Sequence, residues 1–179
     1  MHLNNKEYIF WKFVSLSIVF ILFTIVFLTL ISNNIELYIF LFFVLLSYLI
    51  LYIFKKVLQN ISFSSDSLFL RPSNVKECDL FCFSVNVLDS DKSQRSIGFP
   101  SGHMTLITMF CISFLFLLGE KITYFHSFLA FLYVILMGFS RYKLNCHNIS
   151  QIVAGVVNGF IIAYFYIFYI KARIRTIKK

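Results

Sequence analysis

The chain carries GFPSGH at residues 98–103, directly before one apolar run, and SRYKLNCH at residues 140–147, directly before another. Between them lie the apolar runs 103–118 and 122–139, which are separated only by a short polar turn. Each run is close to the length of a membrane-spanning helix, so the chain can cross a bilayer and return. We therefore predict that the two stretches lie at the same membrane face.

The composition is that of an integral membrane protein. Of 179 residues, 59% are hydrophobic, 24 are Phe and only 8 are acidic. A soluble domain of this size could not bury so much apolar surface. We predict an all-α membrane bundle of about five spans forming a single domain over residues 1–179. We expect the shortest span to begin with its first turn packed against protein. The predicted spans are Phe13–Ser32, Glu36–Phe54, His103–Leu118, Ile122–Phe139 and Ile149–Ile170.

Charge placement gives an expectation for the orientation in the membrane. The net charge is +8, and the C-terminal tail from Lys171 to Lys179 has five basic residues and no acidic one. The positive-inside rule favours a cytoplasmic tail, although such a tail can equally contact anionic lipid headgroups. With five spans, the loop 55–102 and both stretches would then face the extracytoplasmic side. The expected partner is the lipid bilayer, with no nucleic acid.

The four cysteines indicate no metal site. Cys78 and Cys82 lie four residues apart in the long loop, Cys111 lies in a span and Cys146 precedes His147. No pair has the spacing of zinc ligands. We expect either small apolar filler or one disulfide in the loop.

Residues 100–103 have the features of an anion-binding helix start. Proline is compatible with a helix start, as at Pro100, because the N–H that it lacks is not needed there. Ser101 can cap the first turn. Gly102 allows a ligand to approach the backbone, whose free N–H groups attract an anion. His103 then lies on the first turn, where it can donate a proton to a leaving oxygen. The alternative is an ordinary helix start with a surface histidine.

Residues 141–151 add the groups that phosphate chemistry needs. Arg141 offers a planar fork of donors that matches phosphate oxygens. Gln151 lies four residues after His147, so its side chain can hold one imidazole nitrogen while the other attacks phosphorus. A loop histidine taken alone is more often inert than catalytic.

Small residues recur every four positions in the last run, at Gly155, Gly159 and Ala163. This spacing lets another helix approach closely in a bilayer. We favour packing within the chain over a dimer interface.

Residues 99–103 and 140–155 resemble the second and third signature motifs of the type 2 phosphatidic acid phosphatase superfamily. The resemblance covers roughly residues 55–170 and implies a membrane-embedded enzyme that uses no metal or other cofactor. It implies that His147 is the nucleophile and His103 the general acid. It further implies that Arg141, with the Ser101 and Gly102 backbone, holds the phosphoryl oxygens.

The chain departs from this family pattern at two places. Gln151 stands where the family usually has aspartate, and an amide orients imidazole without a charge that stabilises imidazolium. The first motif should join a lysine to Arg-Pro across six residues, but only Arg71-Pro72 is present. We expect an insertion that lets Lys55 or Lys56 reach the phosphate together with Arg71. Alternatively, the two lysines anchor the span end at the interface.

The resemblance implies a lipid phosphatase that acts on a phosphate monoester or diphosphate, such as an isoprenoid diphosphate, phosphatidic acid, phosphatidylglycerol phosphate or lipid A. The neutral Gln151 and the small size favour the isoprenoid carriers by analogy. A phosphotransferase of the same family is one alternative. A degenerate scaffold or lipid-binding protein is another, motivated by the altered first motif.

Overall fold

Five long helices contain the apolar runs. A computed structural model describes residues 4–32, 34–59, 68–72, 78, 86–88 and 94–177. Within these residues the chain forms an all-helical membrane bundle, as predicted, with a small two-stranded sheet outside the helices. The helices are α1 Asn5–Ser32, α2 Ile35–Leu58, α3 Gly102–Leu118, α4 Tyr124–Lys143 and α5 Ile149–Ile177, with a 3-10 turn at Gly119–Lys121.

The helix boundaries follow local capping and extend beyond the predicted spans, except that α4 starts at Tyr124 and not at Ile122. Asn4 accepts a hydrogen bond from the Glu7 amide (2.9 Å) while Glu7 accepts one from the Asn4 amide (3.2 Å), so α1 starts well before residue 13. The α4 helix starts with the same arrangement between Thr123 and His126. The α2 helix runs to Leu58, and its last turn contains Lys55 and Lys56. Positive charges at a helix C-terminus interact favourably with the helix dipole. Lys55 and Lys56 therefore belong to α2 and not to the following loop.

Helix α3 lies at the centre of the bundle and contacts the other four helices. Every residue from Gly102 to Met109 is buried, as predicted for the first turn of the short span. With 17 residues, α3 is about 25 Å long, which is less than a typical hydrocarbon thickness. The other four helices are each long and apolar enough to cross a membrane.

The glycines of α5 seat this helix directly on α3. A Cβ atom on Gly155 would lie 2.6 Å from the Ser101 carbonyl oxygen, and one on Gly159 would lie 2.5 Å from that of Thr105. Ala163 is also fully buried. The small-residue face therefore packs within the chain, as we predicted.

The loop before α3 is held in place by short strand pairings. Strand β1 (Asn86–Leu88) pairs antiparallel with β2 (Gln94–Ser96). The Arg71 amide donates to the Ser96 carbonyl (3.0 Å), and the Gly98 amide donates to that of Phe69 (2.8 Å). These bonds fix Arg71 beside the start of α3.

Candidate active site

His147 has one ring nitrogen held by a well-anchored partner. Its Nδ1 lies 3.1 Å from Gln151 Oε1. The amide nitrogen of Gln151 donates to the carbonyl oxygens of Leu68 (2.9 Å) and Leu70 (2.8 Å). Because both amide protons go to carbonyls, Oε1 must face His147, so Nδ1 carries the proton. The lone pair is therefore on Nε2, which is buried and has no hydrogen-bond partner among the described residues.

Residues Ser101 and Gly102 lie at the start of α3, close to His147. The Ser101 amide donates to the Gln151 carbonyl (3.0 Å), so this amide is not available to hold a phosphate as expected. Ser101 occupies the N-cap position but makes no side-chain capping bond, which differs from the prediction. Its hydroxyl is instead buried without a partner among the described residues. The group that Ser101 offers to a ligand is thus its Oγ, beside the first-turn amides of α3.

Three cations from separate parts of the chain are buried around this point. Lys55, Arg71 and Arg141 are exposed by only 3%, 1% and 2%. Lys56 is exposed, so the structure separates the two lysines that the sequence left open. Burying several cations together is costly, and a bound anion would offset that cost.

Arg141 is oriented by two neutral groups. One of its terminal nitrogens donates to the Ser15 hydroxyl, and the other donates to the Cys78 carbonyl (3.0 Å). Its neighbour Ser140 donates to the Trp11 carbonyl (2.8 Å). Both of these Arg141 partners are neutral oxygen acceptors, and together they fix the plane of the guanidinium.

A disulfide between Cys78 and Cys146 joins the long loop to the His147 loop. It links residues 68 positions apart, with Cα atoms separated by 5.6 Å. Cys146 directly precedes His147, and the Cys78 carbonyl accepts a hydrogen bond from Arg141. The bond thus fixes two parts of the site against each other.

The surroundings of His147 favour its neutral form. Burial is the main cause that lowers the pKa of His147 well below its usual value of 6.5. The charges of Arg141, Arg71 and Lys55 lower this pKa further, and His103 adds a smaller effect in the same direction. Because Coulomb effects fall with distance, the three cations lie near enough to His147 to disfavour its charged form. A neutral imidazole keeps the lone pair that nucleophilic attack requires.

Gly98 begins the stretch 98–103, but the sequence assigned it no role in the site. A Cβ atom there would lie 2.5 Å from Gln151 Oε1 and 2.8 Å from Arg71 Cγ. A side chain at this position would therefore displace the amide that holds His147.

The family model of the PAP2 superfamily matches residues 36–175, which is more than half of the chain. The chain belongs to the PAP2 superfamily. No match was found among curated proteins or among solved structures. The matched segment contains both predicted motifs, so the family recognised from residues 99–103 and 140–155 is confirmed.

The predicted site residues are buried, with the exception of the exposed Lys56. Helix ends of α2, α3, α4 and α5 provide Lys55, His103, Arg141 and Gln151, and the loop provides Arg71. The sequence missed the disulfide partner of Cys146 and the Leu68 and Leu70 carbonyls that hold Gln151. The position of Cys146 beside His147 was a usable signal for the disulfide. Carbonyl acceptors carry no residue-type signal at all.

Proposed function

We propose that this PAP2 protein is a metal-independent lipid phosphatase that hydrolyses a phosphate monoester or diphosphate through a phosphohistidine. The observation that supports this most directly is the state of His147. Its Nδ1 proton is directed to Gln151 Oε1 and its Nε2 is buried without a hydrogen-bond partner among the described residues. The charges of the buried Arg141, Arg71 and Lys55 act on the same imidazole. A nucleophile and an anion-binding cluster thus share one site.

In the first step the Nε2 lone pair of His147 attacks phosphorus and forms an N–P bond. The bond from phosphorus to the lipid oxygen breaks, and His103 donates a proton to that oxygen. Arg141, Arg71 and Lys55 neutralise the charge on the phosphoryl oxygens in the transition state, together with the Ser101 hydroxyl and the Gly102 amide.

In the second step water attacks the phosphohistidine. His103 accepts a proton from this water as its oxygen bonds to phosphorus, and the N–P electron pair returns to His147. The products are inorganic phosphate and a lipid alcohol, or a lipid monophosphate if the substrate is a diphosphate. Gln151 keeps the imidazole oriented throughout, without adding a charge.

We propose that the site faces the extracytoplasmic side. Disulfides persist mainly in oxidising compartments, and the Cys78–Cys146 bond lies at the site. This argument is independent of the basic tail, which favours a cytoplasmic C-terminus. Both agree if α5 begins at the site and ends at the opposite face. A reporter that works only in the cytoplasm should therefore be active when it is fused to the C-terminus, and a reporter that works only outside the cytoplasm should be inactive.

The test is phosphate release by the purified protein in detergent, with EDTA present. Undecaprenyl diphosphate, phosphatidic acid and lipid A would be compared, with His147→Ala as the blank. We expect release from at least one lipid, falling by a factor of at least about 1000 in His147→Ala, the scale for loss of a nucleophile.

A phosphate label on the protein that is lost in acid and retained in base would identify the phosphohistidine. Product formation only when an acceptor alcohol is added would favour a phosphotransferase instead. Equal turnover in wild type and His147→Ala, on every lipid, would reject the phosphatase in favour of a scaffold.

A further inference from the structure

An apolar groove of about 420 Å³ lies between α4 and α5. We name it the α4/α5 groove, and its principal lining residues are Met104, Val134, Gly138, Tyr142, Ile152 and Val156. A Cβ atom on Gly138 would lie 3.4 Å from Ile152 Cγ2 and 3.6 Å from Met104 Cε, so this glycine faces both other helices. The groove therefore has walls on α4 and α5 and a base on α3.

The groove lies beside the proposed phosphate site. Met104, Tyr142 and Ile152 each directly follow a residue of that site in the chain. Three helices therefore supply neighbouring residues to both features. An apolar cavity of about 500 Å³ elsewhere in the bundle, lined by residues such as Ile25, Leu37 and Leu117, is not lined by chain neighbours of site residues.

The groove opens towards the hydrocarbon of the bilayer. Two residues that line it, Phe139 and Ile149, are exposed by 53% and 64%. Along α4 the groove extends from Tyr142 to Val134, a rise of about 12 Å at 1.5 Å per residue. The groove starts at the level of the site and continues towards the middle of the membrane. An alkyl chain attached to a phosphate at the membrane surface would follow the same direction.

We propose that the α4/α5 groove binds the alkyl chain of the phosphorylated lipid while its phosphate occupies the site beside His147. This inference rests on the proposed function and adds to it the location of the chain. Gly138 sets the width of the groove, because any larger side chain would extend into the space between Ile152 and Met104. Gly138 on α4 and Val156 on the α5 wall thus determine which chains the groove accepts.

The test compares two substrates in one purified, full-length protein. Hexadecyl phosphate has a long chain, and phenyl phosphate has none. We measure the ratio of kcat/KM for the first to that for the second. Val156→Phe should lower this ratio by about tenfold or more, the effect of displacing about two buried methylene groups. Gly138→Leu, on the opposite wall, should lower it similarly.

Val157→Phe is the matched control, because Val157 is 52% exposed and does not line the groove. It should leave the ratio unchanged. Equal ratios in Val156→Phe, Gly138→Leu and wild type would overturn the proposal while leaving the phosphatase intact. The same fall in Val157→Phe would also overturn it.

Absence of hydrolysis of either substrate by the wild type would contradict the proposed function separately. The groove is then tested by an alkyl phosphate with a photoactivatable diazirine in mid-chain. Labelled peptides from α4 and α5, reduced by Val156→Phe but not by Val157→Phe, would support the groove. Labelling on other helices only would overturn it.

Discussion

Gln151 connects three segments of the protein at a single side chain. It holds His147 through Oε1 and the loop before α3 through two carbonyl contacts, and its own backbone carbonyl accepts from Ser101. A carboxylate cannot donate to the Leu68 and Leu70 carbonyls. The amide is therefore the side chain that this loop geometry requires, whatever its effect on an imidazolium.

Gln151→Glu is consequently expected to destabilise the protein rather than improve catalysis. The buried Leu70 carbonyl loses its donor, at about 1–3 kcal/mol, and the partly buried Leu68 carbonyl loses its donor at a smaller cost. We expect a lower melting temperature in detergent at pH 8 and a reduced kcat. Partial recovery should appear at pH 5, where a protonated glutamic acid can donate one hydrogen bond. A Gln151→Glu protein with wild-type stability at pH 8 would contradict this account.

The folding stability should depend on pH through His147. The pKa of this residue is lowered in the folded state, mainly by burial and then by Arg141, Arg71 and Lys55. Below pH 6.5 the unfolded chain therefore binds more protons at His147 than the folded protein does. The free energy of unfolding falls as the pH drops from 6.5 towards the lower pKa of the folded state. Melting temperatures between pH 8 and pH 5 should decline less in His147→Gln than in wild type. Parallel declines in the two proteins would argue against a neutral, buried imidazole.

The interface between α3 and α5 is the element on which the site geometry depends. The glycine face of α5 lets the two backbones approach closely, which places Gln151 next to Ser101. Propensity alone could not predict this, since glycine weakens a helix interior by roughly 1 kcal/mol relative to alanine. The close helix approach explains why glycine is nevertheless present.

Gly159→Ala should therefore destabilise the protein, although alanine is the better helix former. The new methyl group would lie 2.5 Å from the Thr105 carbonyl oxygen, so the helices must separate. We expect a loss of about 1–3 kcal/mol, measured by denaturant unfolding in mixed micelles. Val157→Leu, on the exposed face of the same helix, should change the stability by less than about 0.5 kcal/mol. An increase in stability from Gly159→Ala would show that the contact is not rigid.

At the scale of the whole molecule, the disulfide connects the loop to the helical bundle. It closes a long segment that contains α3 and α4, and it ends beside His147. The chain-entropy model gives up to about 4 kcal/mol for a loop of this length. Membrane insertion of the enclosed helices reduces this value, because it already restricts the unfolded chain.

Reduction should therefore lower both activity and stability. We expect Cys78→Ser and wild type in reductant to lose the same fraction of kcat, because both release the carbonyl that orients Arg141. The experiment uses a Cys111→Ala background, so that the buried free thiol does not contribute. A reductant effect that persists in Cys78→Ser would have another origin.

The sequence by itself determined the membrane class, the five apolar helices, the family and the chemical groups of the candidate site. Apolar run lengths and residues 98–103 and 140–155 carry that information locally, since helix formation and motif spacing depend on near neighbours. Only the tertiary structure distinguished Lys55 from Lys56, paired Cys78 with Cys146 and showed Gln151 bonded to Leu68 and Leu70. These contacts join residues far apart in the chain, and they depend on backbone carbonyls and on the rotation of each helix, which near neighbours in the sequence do not fix.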